Sequence, residues 1–386
     1  MKQKKMKKNP KRANGEGSLY NNEARKRYEA YATVDGKRVK VATGKLKRDV
    51  AEKLRLFNEA RRLGESVPPK YLTMREFLLD WVETDAISVK ASTAQNYRNL
   101  VDLYLVPHLG SKKLATLTTG HVDAMIQALH AQGLAPNTIK RARSVLHKAL
   151  AKALARKLVA ENVATAAAKI RVPVPEKRLM SVEELQIFRS AIAGHRLEAL
   201  WLVSVATGLR PGEALGLSWS DLDTERRTLT VRHTLMRPIS KGGPATLAEP
   251  KTKKSRRTID LPTQAVSALR SHKLRQETER IDAADCWMQR PLGRDLIFRT
   301  AHGTALDLAN VRHALARVTV GSGLGAWTPH ELRHTAASLM LHKGVALMTV
   351  SLCLGHSSIR ETADTYGHLI GDDRADTARA MESLLD

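Results

Sequence analysis

The segment TPHELRHT at residues 328–335 places several residue types that do chemistry within two helical turns. His330, Glu331 and His334 match the H-E-x-x-H pattern, in which two histidines bind zinc and a glutamate acts as general base. The same residues also predict a helix start, because Thr328 is a good N-cap and Glu331 stands at the capping-box position. Glu331 then has a structural task. A zinc hydrolase is therefore the weaker alternative, and it predicts bound zinc and inhibition by chelators.

The helix start itself predicts an anion site. His330 and Arg333 are three residues apart, so they share one face of the helix. They stand beside free backbone N–H groups at the positive end of the helix dipole, where phosphate binds readily. His334 receives no task in this interpretation, and packing or surface exposure is the expectation for it.

A second arginine, Arg210, lies in the turn TGLRPGE between a helix that ends at Gly208 and one that begins at Pro211. Its planar guanidinium can offer two donors to a phosphate. Glu213 follows one helical turn later. Alone, an arginine in such a turn is more often part of a surface ion pair.

The run PKTKKSRR at residues 250–257 is a basic turn beside a strand, and Lys251, Lys253 and Lys254 are alternative candidates for one task in it. By itself such a charge run is usually a solvated surface.

Two further candidates are His356 in LGHSS and Tyr366 in TADTYGHL. Ser358 and Glu361 predict another capping box, which places Tyr366 about two turns into a helix. His368, two residues beyond Tyr366, is expected to pack or to be exposed.

In chain order the candidates form one series: Arg210, Lys251, His330, Arg333, His356 and Tyr366. This series and its surrounding words (TGLRPGE, PKTKKSRR, HELRHT, LGHSS and TYGH) resemble the tyrosine recombinases, the phage-integrase family, across the entire C-terminal domain.

The resemblance implies a site-specific DNA recombinase that integrates or excises a phage or another mobile element through a 3′-phosphotyrosyl intermediate. Tyr366 would be the nucleophile, because a tyrosyl ester preserves the phosphate bond for rejoining. Arg210 and Arg333 would neutralise the charge of the pentavalent transition state. His330 would assist proton transfer from the tyrosine, and His356 would hydrogen-bond the phosphate. No cofactor or metal is expected.

The remaining roles also follow from the resemblance. Lys251 matches the general acid that protonates the leaving oxygen, with Lys253 as the alternative, and Glu213 matches an acidic residue that orients its neighbours. Lys253, Arg256 and Arg257 are expected to contact the DNA backbone. A relative that binds DNA but has lost the reaction is the other alternative, and the presence of every catalytic residue type argues against it.

The elements that must position these residues predict a multidomain α+β fold. Three domains are expected: a basic arm-type DNA-binding domain with a hairpin and a helix (1–65), a helical core-binding domain (72–171) and a mainly helical catalytic domain with a small sheet (179–386). Within them the expected strands are 27–34, 37–42, 228–233 and 257–261, and the expected helical stretches include 46–62, 72–170 and 200–206. An Asp35-Gly36 turn is expected between the first two strands.

Composition agrees with a polyanion-binding protein. The 386 residues include 64 Lys and Arg against 39 Asp and Glu, for a net charge of +25, and residues 1–70 alone carry +13. This favours DNA as the partner, and aromatic residues at 4% disfavour a membrane-binding protein. Two cysteines exclude a disulfide scaffold and fit the cytoplasm of a bacterial host.

The expected assembly is four protomers that hold two duplexes. Residues 1–65 would bind arm-type sites, residues 72–386 would clamp core-type sites, and the tail 380–386 is a candidate for docking on a neighbouring protomer. Host proteins that bend DNA or set directionality are possible further partners.

Overall fold

A computed structural model describes residues 17–23, 26–34, 37–62, 72–173, 178–236, 243, 245–249 and 255–367. By its backbone contacts the chain divides into two units, Met1–Val174 and Pro175–Asp386. The predicted multidomain α+β fold is confirmed, because helices predominate and small antiparallel sheets occur in both units.

The first unit begins with a three-stranded antiparallel sheet in the order β1-β2-β3 and one helix packed on it. The bounds are β1 (Ser18–Asn22), β2 (Arg27–Val34), β3 (Lys37–Gly44) and α1 (Lys47–Arg62). Both predicted strands and the helix are confirmed, whereas β1 was not predicted. Ala30 and Ala32 of β2 are buried in one cluster with Val50 and Leu54 of the helix. The predicted Asp35-Gly36 turn lies outside the described residues.

The rest of the first unit is a helical bundle. Its helices are α2 (Met74–Asp85), α3 (Ala91–Leu100), α4 (Val106–Leu109), α5 (Thr119–Ala131) and α6 (Pro136–Ala155). A π-helical turn, Val101–Leu105, joins α3 to α4 without a break. Phe77, Trp81, Leu129 and Leu146 are among the residues of its core.

The prediction that residues 72–170 are helical throughout is wrong at its end. The helix α6 stops at Ala155, and Lys157 adopts a left-handed backbone with φ of 55°. The following segment is irregular, and Arg143 of α6 donates hydrogen bonds to the carbonyl oxygens of Ala164 (2.7 Å) and Ala167 (3.1 Å). Burial of this folded-back segment overrides the helix propensity of its alanines.

The main apolar core of the second unit includes Phe188, Trp201 and Trp327, and a smaller cluster contains Val350, Leu354 and Tyr366. Its helices are α7 (Val182–Ile192), α8 (Glu198–Thr207), α9 (Pro211–Leu215), α10 (Thr263–Ala283), α11 (Leu308–Gly321), α12 (Pro329–His342), α13 (Leu347–Leu354) and α14 (Ile359–Tyr366). Its strands are β4 (Leu222–Asp223), β5 (Thr228–Val231), β6 (Thr234–Met236), β7 (Thr246–Ala248) and β8 (Arg257–Asp260).

Strands β4, β5 and β8 form one antiparallel sheet in that order, and β6 pairs with β7. The predicted strands 228–233 and 257–261 and the predicted helix 200–206 are thus confirmed, each with a shift at its ends. None of the helices in the described residues is long and apolar enough to cross a membrane.

Helices α8 and α12 pack against each other, and Gly208 ends α8 at this contact. Gly208 has a φ of +65°, and a Cβ there would lie 2.6 Å from Cδ2 of Leu354. Only glycine fits this close approach without strain. The glycine lets α8, α12 and the end of α13 meet at one point.

Candidate active site

Arg333 is a deeply buried charge of the site, with 2% of the residue exposed. It lies on α12 and donates hydrogen bonds to the carbonyl oxygens of Gly208 (2.6 Å) and Leu354 (2.9 Å). Burial, and then the nearby Arg210 charge, lower its pKa to about 10. The guanidinium therefore stays protonated at neutral pH in a largely desolvated place, where a charge acts strongly on an anion.

Arg210 stands at the start of α9 and is 35% exposed at its side chain. Glu213 accepts from it twice, at Oε1 from Nη1 (2.9 Å) and at Oε2 from the backbone N–H (3.0 Å). The other Nη donates to the carbonyl oxygen of Gly355 (3.2 Å). The structure thus fixes Arg210 at the surface edge of the same cluster and makes Glu213 the residue that orients it.

Glu213 itself is only 2% exposed. Burial on its own raises the pKa of this carboxyl, but the charges and hydrogen bonds of Arg257 and Arg210 outweigh that effect, so the pKa lies below its ordinary value. The carboxylate is therefore ionised at neutral pH, as its position between two arginines requires.

His356 follows Gly355, the left-handed residue that ends α13. Its Nδ1 lies 2.7 Å from Oγ1 of Thr362 on α14. Burial, and then the positive charge of Arg333, lower the pKa of His356 to about 4. The imidazole is thus neutral at physiological pH, and Thr362 holds its orientation.

The predicted capping box of Ser358 and Glu361 is not formed. Ser358 caps α14 by accepting from the N–H of Arg360 (3.2 Å). The carboxylate of Glu361 instead lies 3.8 Å from Nε2 of His356.

The low pKa of His356 predicts a pH-dependent stability. Between pH 6.5 and about 4 the unfolded chain binds a proton that the folded chain does not, so stability falls as pH falls through this window. In His356→Gln we expect the loss of unfolding free energy between pH 7 and 4.5 to shrink by on the order of 2 kcal/mol. Urea unfolding at both pH values measures it, and equal losses in both proteins would contradict the prediction.

Tyr366 is the last residue of α14 and is 1% exposed. Burial raises the pKa of its phenol to about 12, although the charge of Arg333 works in the opposite direction. The hydroxyl lies 2.5 Å from Nδ1 of His334 on α12. A phenol with so high a pKa gives up its proton only to a nearby acceptor, and His334 is in contact with it.

His334 is the residue that sequence reasoning missed, since packing or surface exposure was expected for it. Its ring centroid lies 4.7 Å from that of His330 and 5.7 Å from that of Tyr366. A signal was present in the spacing, because residues four apart on a helix share a face. His330 is exposed at the start of α12, as predicted, and adjoins His334 rather than the tyrosine in the contacts described.

The capping box predicted at the start of α12 is confirmed. The N–H of Thr328 donates to Oε2 of Glu331 (2.7 Å), and Oγ1 of Thr328 accepts from the N–H of Glu331 (3.4 Å). This contact occupies the glutamate that the zinc alternative needs as its base. Among the described residues no cluster of three or more His, Cys, Asp and Glu side chains is arranged to hold a metal ion.

The geometry collects two arginines, a neutral histidine, a carboxylate and a tyrosine around the ends of α8 and α13. Sequence comparison agrees with this arrangement. A sequence model of the phage integrase family matches residues 177–371, and one of the phage integrase central domain matches residues 74–169. The chain belongs to the phage integrase family.

Relatives and solved structures support this membership along most of the chain. An integrase of Streptomyces ambofaciens is 30% identical over 370 residues, which cover 92% of each protein. The Tn1549 transposon integrase in complex with a circular intermediate DNA aligns with a TM-score of 0.67 at 20% identity, over 82% of this chain and 100% of that chain. A lambda integrase tetramer bound to a Holliday junction aligns at 0.55 and 22% identity, over 89% of this chain and 96% of that chain. The predicted resemblance to tyrosine recombinases is confirmed, and the two structures show the shared fold.

The residues of this family member that were predicted to contact DNA differ in their exposure. Arg256 is exposed. The Arg257 side chain is only 7% exposed, and Nη2 donates to Oε2 of Glu213 (3.0 Å), which argues against the predicted contact of Arg257 with DNA. Alternation along the strand could have revealed this, because Arg257 shares a sheet face with the buried Ile259.

Several predicted features lie outside the described residues: Lys251, Lys253, Lys254, His368 and the tail 380–386.

Proposed function

We propose that this tyrosine recombinase integrates and excises a mobile element by cutting and rejoining DNA through a phosphotyrosyl bond at Tyr366. One observation carries the assignment of the site. Arg333 and Arg210 donate to the successive carbonyl oxygens of Leu354 and Gly355, and His356 follows directly. The two arginines and the histidine, which are all suited to bind a phosphate, are therefore held at three consecutive residues, 354–356.

In the proposed reaction the phenol oxygen of Tyr366 bonds to phosphorus while the bond to the 5′-oxygen breaks. Charge grows on the non-bridging oxygens, and Arg210 and Arg333 offset it from fixed positions. His356, neutral and held by Thr362, donates a hydrogen bond to the phosphate from Nε2. Attack by a 5′-hydroxyl on the tyrosyl ester reverses the step, so no energy source is consumed.

Proton transfers accompany both bond changes. The phenol proton passes to Nδ1 of His334, and His330 at the exposed start of α12 connects this pair to solvent. Lys251 is proposed to protonate the leaving 5′-oxygen, and Lys253 is the alternative. His334 thereby takes the contact with the nucleophile that the resemblance assigned to His330.

Covalent trapping tests this function. DNA selected from a random pool by its binding to the protein is nicked at successive positions and incubated with the protein in EDTA. Cleavage near a nick releases a short strand that diffuses away, which leaves the protein attached to a 3′ end. We expect a protein–DNA adduct on a denaturing gel. Bound DNA without an adduct at any nick position would favour a relative that binds but does not cut.

The proposed partners are double-stranded DNA and further copies of this chain. We propose that residues 1–65 bind arm-type sites while 72–171 and 179–386 bind core-type sites, so that one protomer bridges two sites and gains effective affinity. Four protomers on two duplexes agree with the lambda integrase tetramer on a Holliday junction. We also propose host proteins that bend DNA or set directionality as further partners. Residues 380–386 would dock on a neighbouring protomer, and the location would be cytoplasmic and nucleoid-associated.

The exposed Arg256 is proposed to bind a DNA phosphate. We expect Arg256→Gln to weaken DNA binding on all sequences alike and to reduce the slope of log K against log salt by about 1. Binding titrations between 50 and 200 mM salt, roughly the range in which such slopes are resolved, measure it. An unchanged slope would show that Arg256 does not contact DNA. A substitution of its buried neighbour Arg257 is the matched control.

A further inference from the structure

Arg257 is a buried arginine at the first position of β8. Each of its three nitrogens has a partner: Nη2 donates to Oε2 of Glu213 (3.0 Å), Nε to the carbonyl oxygen of Cys353 (2.5 Å) and Nη1 to that of Ser255 (3.1 Å). A charge that is buried and fully engaged in this way is not a surface contact for DNA.

The Cys353 contact completes a pattern at the end of α13. The carbonyl oxygens of residues 353, 354 and 355 accept, in order, from Arg257, Arg333 and Arg210. The last carbonyls of a helix have no partner within the helix and form the negative end of its dipole. Three arginines from three separate elements are therefore held by one helix end.

Glu213 links two of these arginines a second time. Its Oε1 accepts from Arg210 and its Oε2 from Arg257. Arg257 thus holds both groups that fix Arg210, the Glu213 carboxylate and the end of α13. Without Arg257, Glu213 would be a buried carboxylate with only one arginine beside it.

Gly355 provides room for this arrangement. Its φ is +66°, and a Cβ there would lie 2.7 Å from Nη1 of Arg257. The chain between α13 and His356 is therefore shaped to accept the Arg257 guanidinium at close range.

We propose that Arg257 is a positioning residue that holds Glu213 and the end of α13, and through them orients Arg210 and Arg333 toward the phosphate. The role rests on the proposed recombinase function. It differs from DNA binding, because it acts on the rate of the bond change at a site that is already occupied.

The test compares Arg257→Met, which keeps bulk but removes every donor, with Arg257→Lys, which keeps the charge beside Glu213. Single-turnover adduct formation on nicked DNA, at saturating protein, gives the rate, and salt titrations give the affinity. We expect about a 100-fold slower rate for Arg257→Met, about a tenfold slower rate for Arg257→Lys, and a Kd within about threefold of wild type for both, since loss of one fixed donor set costs this order.

Arg256→Gln is the matched neighbour for affinity and should show the weaker Kd that neither Arg257 variant shows. A normal rate in Arg257→Met would overturn the positioning role, and so would a weaker Kd with a lower salt slope. If Arg257→Met loses its cooperative thermal transition, the variant is not folded and Arg257→Lys becomes the test. A wild-type rate in Arg257→Lys would also overturn the proposal.

A double variant separates positioning through Glu213 from an independent effect. If Arg257 acts partly through the carboxylate, the rate loss in Glu213→Gln with Arg257→Met should be smaller than the product of the two single losses. Rate losses that multiply would contradict the proposed path. Absence of an adduct from the wild-type protein would refute the proposed function itself, which is a different outcome.

Discussion

Tyr366→Phe should abolish the covalent adduct while DNA affinity stays within about twofold of wild type. The substitution removes the oxygen that we propose bonds to phosphorus, so the phosphotyrosyl ester cannot form. Because the phenol is buried, DNA binding should not depend on it. The lost hydrogen bond to His334 should lower stability by about 1 kcal/mol.

The adduct assay on nicked DNA measures this result, with thermal unfolding alongside. Tyr97→Phe is a matched control, because Tyr97 is also buried and its hydroxyl accepts from Lys148 (2.8 Å) in the helical bundle. The control should form the adduct at the wild-type rate. An adduct that persists in Tyr366→Phe would assign the nucleophile to another residue.

The burial of Tyr366 adds a consequence for the reaction. In the proposed reaction the phenol of Tyr366, which is 1% exposed here, has to become accessible to a DNA phosphate. The high pKa of the phenol has the same origin as its inaccessibility, namely burial. Arrival of the phosphate at the arginines and movement of the tyrosine are therefore expected to be coupled.

Arg333→Lys should slow adduct formation by roughly 100- to 1,000-fold at saturating DNA. A lysine keeps the positive charge but lacks the planar fork that lets one side chain hold fixed carbonyls and still face an anion. Its one nitrogen would also have to reach two carbonyl oxygens, of Gly208 and Leu354, that Arg333 contacts with two separate nitrogens. Leaving one buried acceptor without its donor should cost about 1–3 kcal/mol of unfolding free energy.

Single-turnover rates and urea unfolding measure the two effects separately. Arg196→Lys is the matched control, because Arg196 makes two hydrogen bonds to Glu279 (2.6 and 2.7 Å) in the same unit. It should lose some stability but keep its rate. A wild-type rate in Arg333→Lys would show that the reaction does not need a two-donor contact between Arg333 and the phosphate.

The sequence by itself determined what depends on local chemistry. The capping box at Thr328 and Glu331, the strands of the N-terminal hairpin and the glycine that ends α8 are short-range features, and each is found in the structure. The order of the motif residues was enough to identify the family, because it does not depend on knowing their contacts.

Only the tertiary structure decided which partners those residues have. His334 meets a tyrosine 32 residues away, and Arg257 meets a carbonyl 96 residues away, so no local pattern specifies either contact. Arg256 and Arg257 are the same residue type in the same turn, yet one is exposed and the other is enclosed by α9 and α13. Residues 156–170 favour a helix locally but fold back, since burial there outweighs propensity. The free energy of a local helix or strand preference is small per residue. The free energy of removing water from a buried charge or an apolar side chain is large, and packing between distant elements determines it.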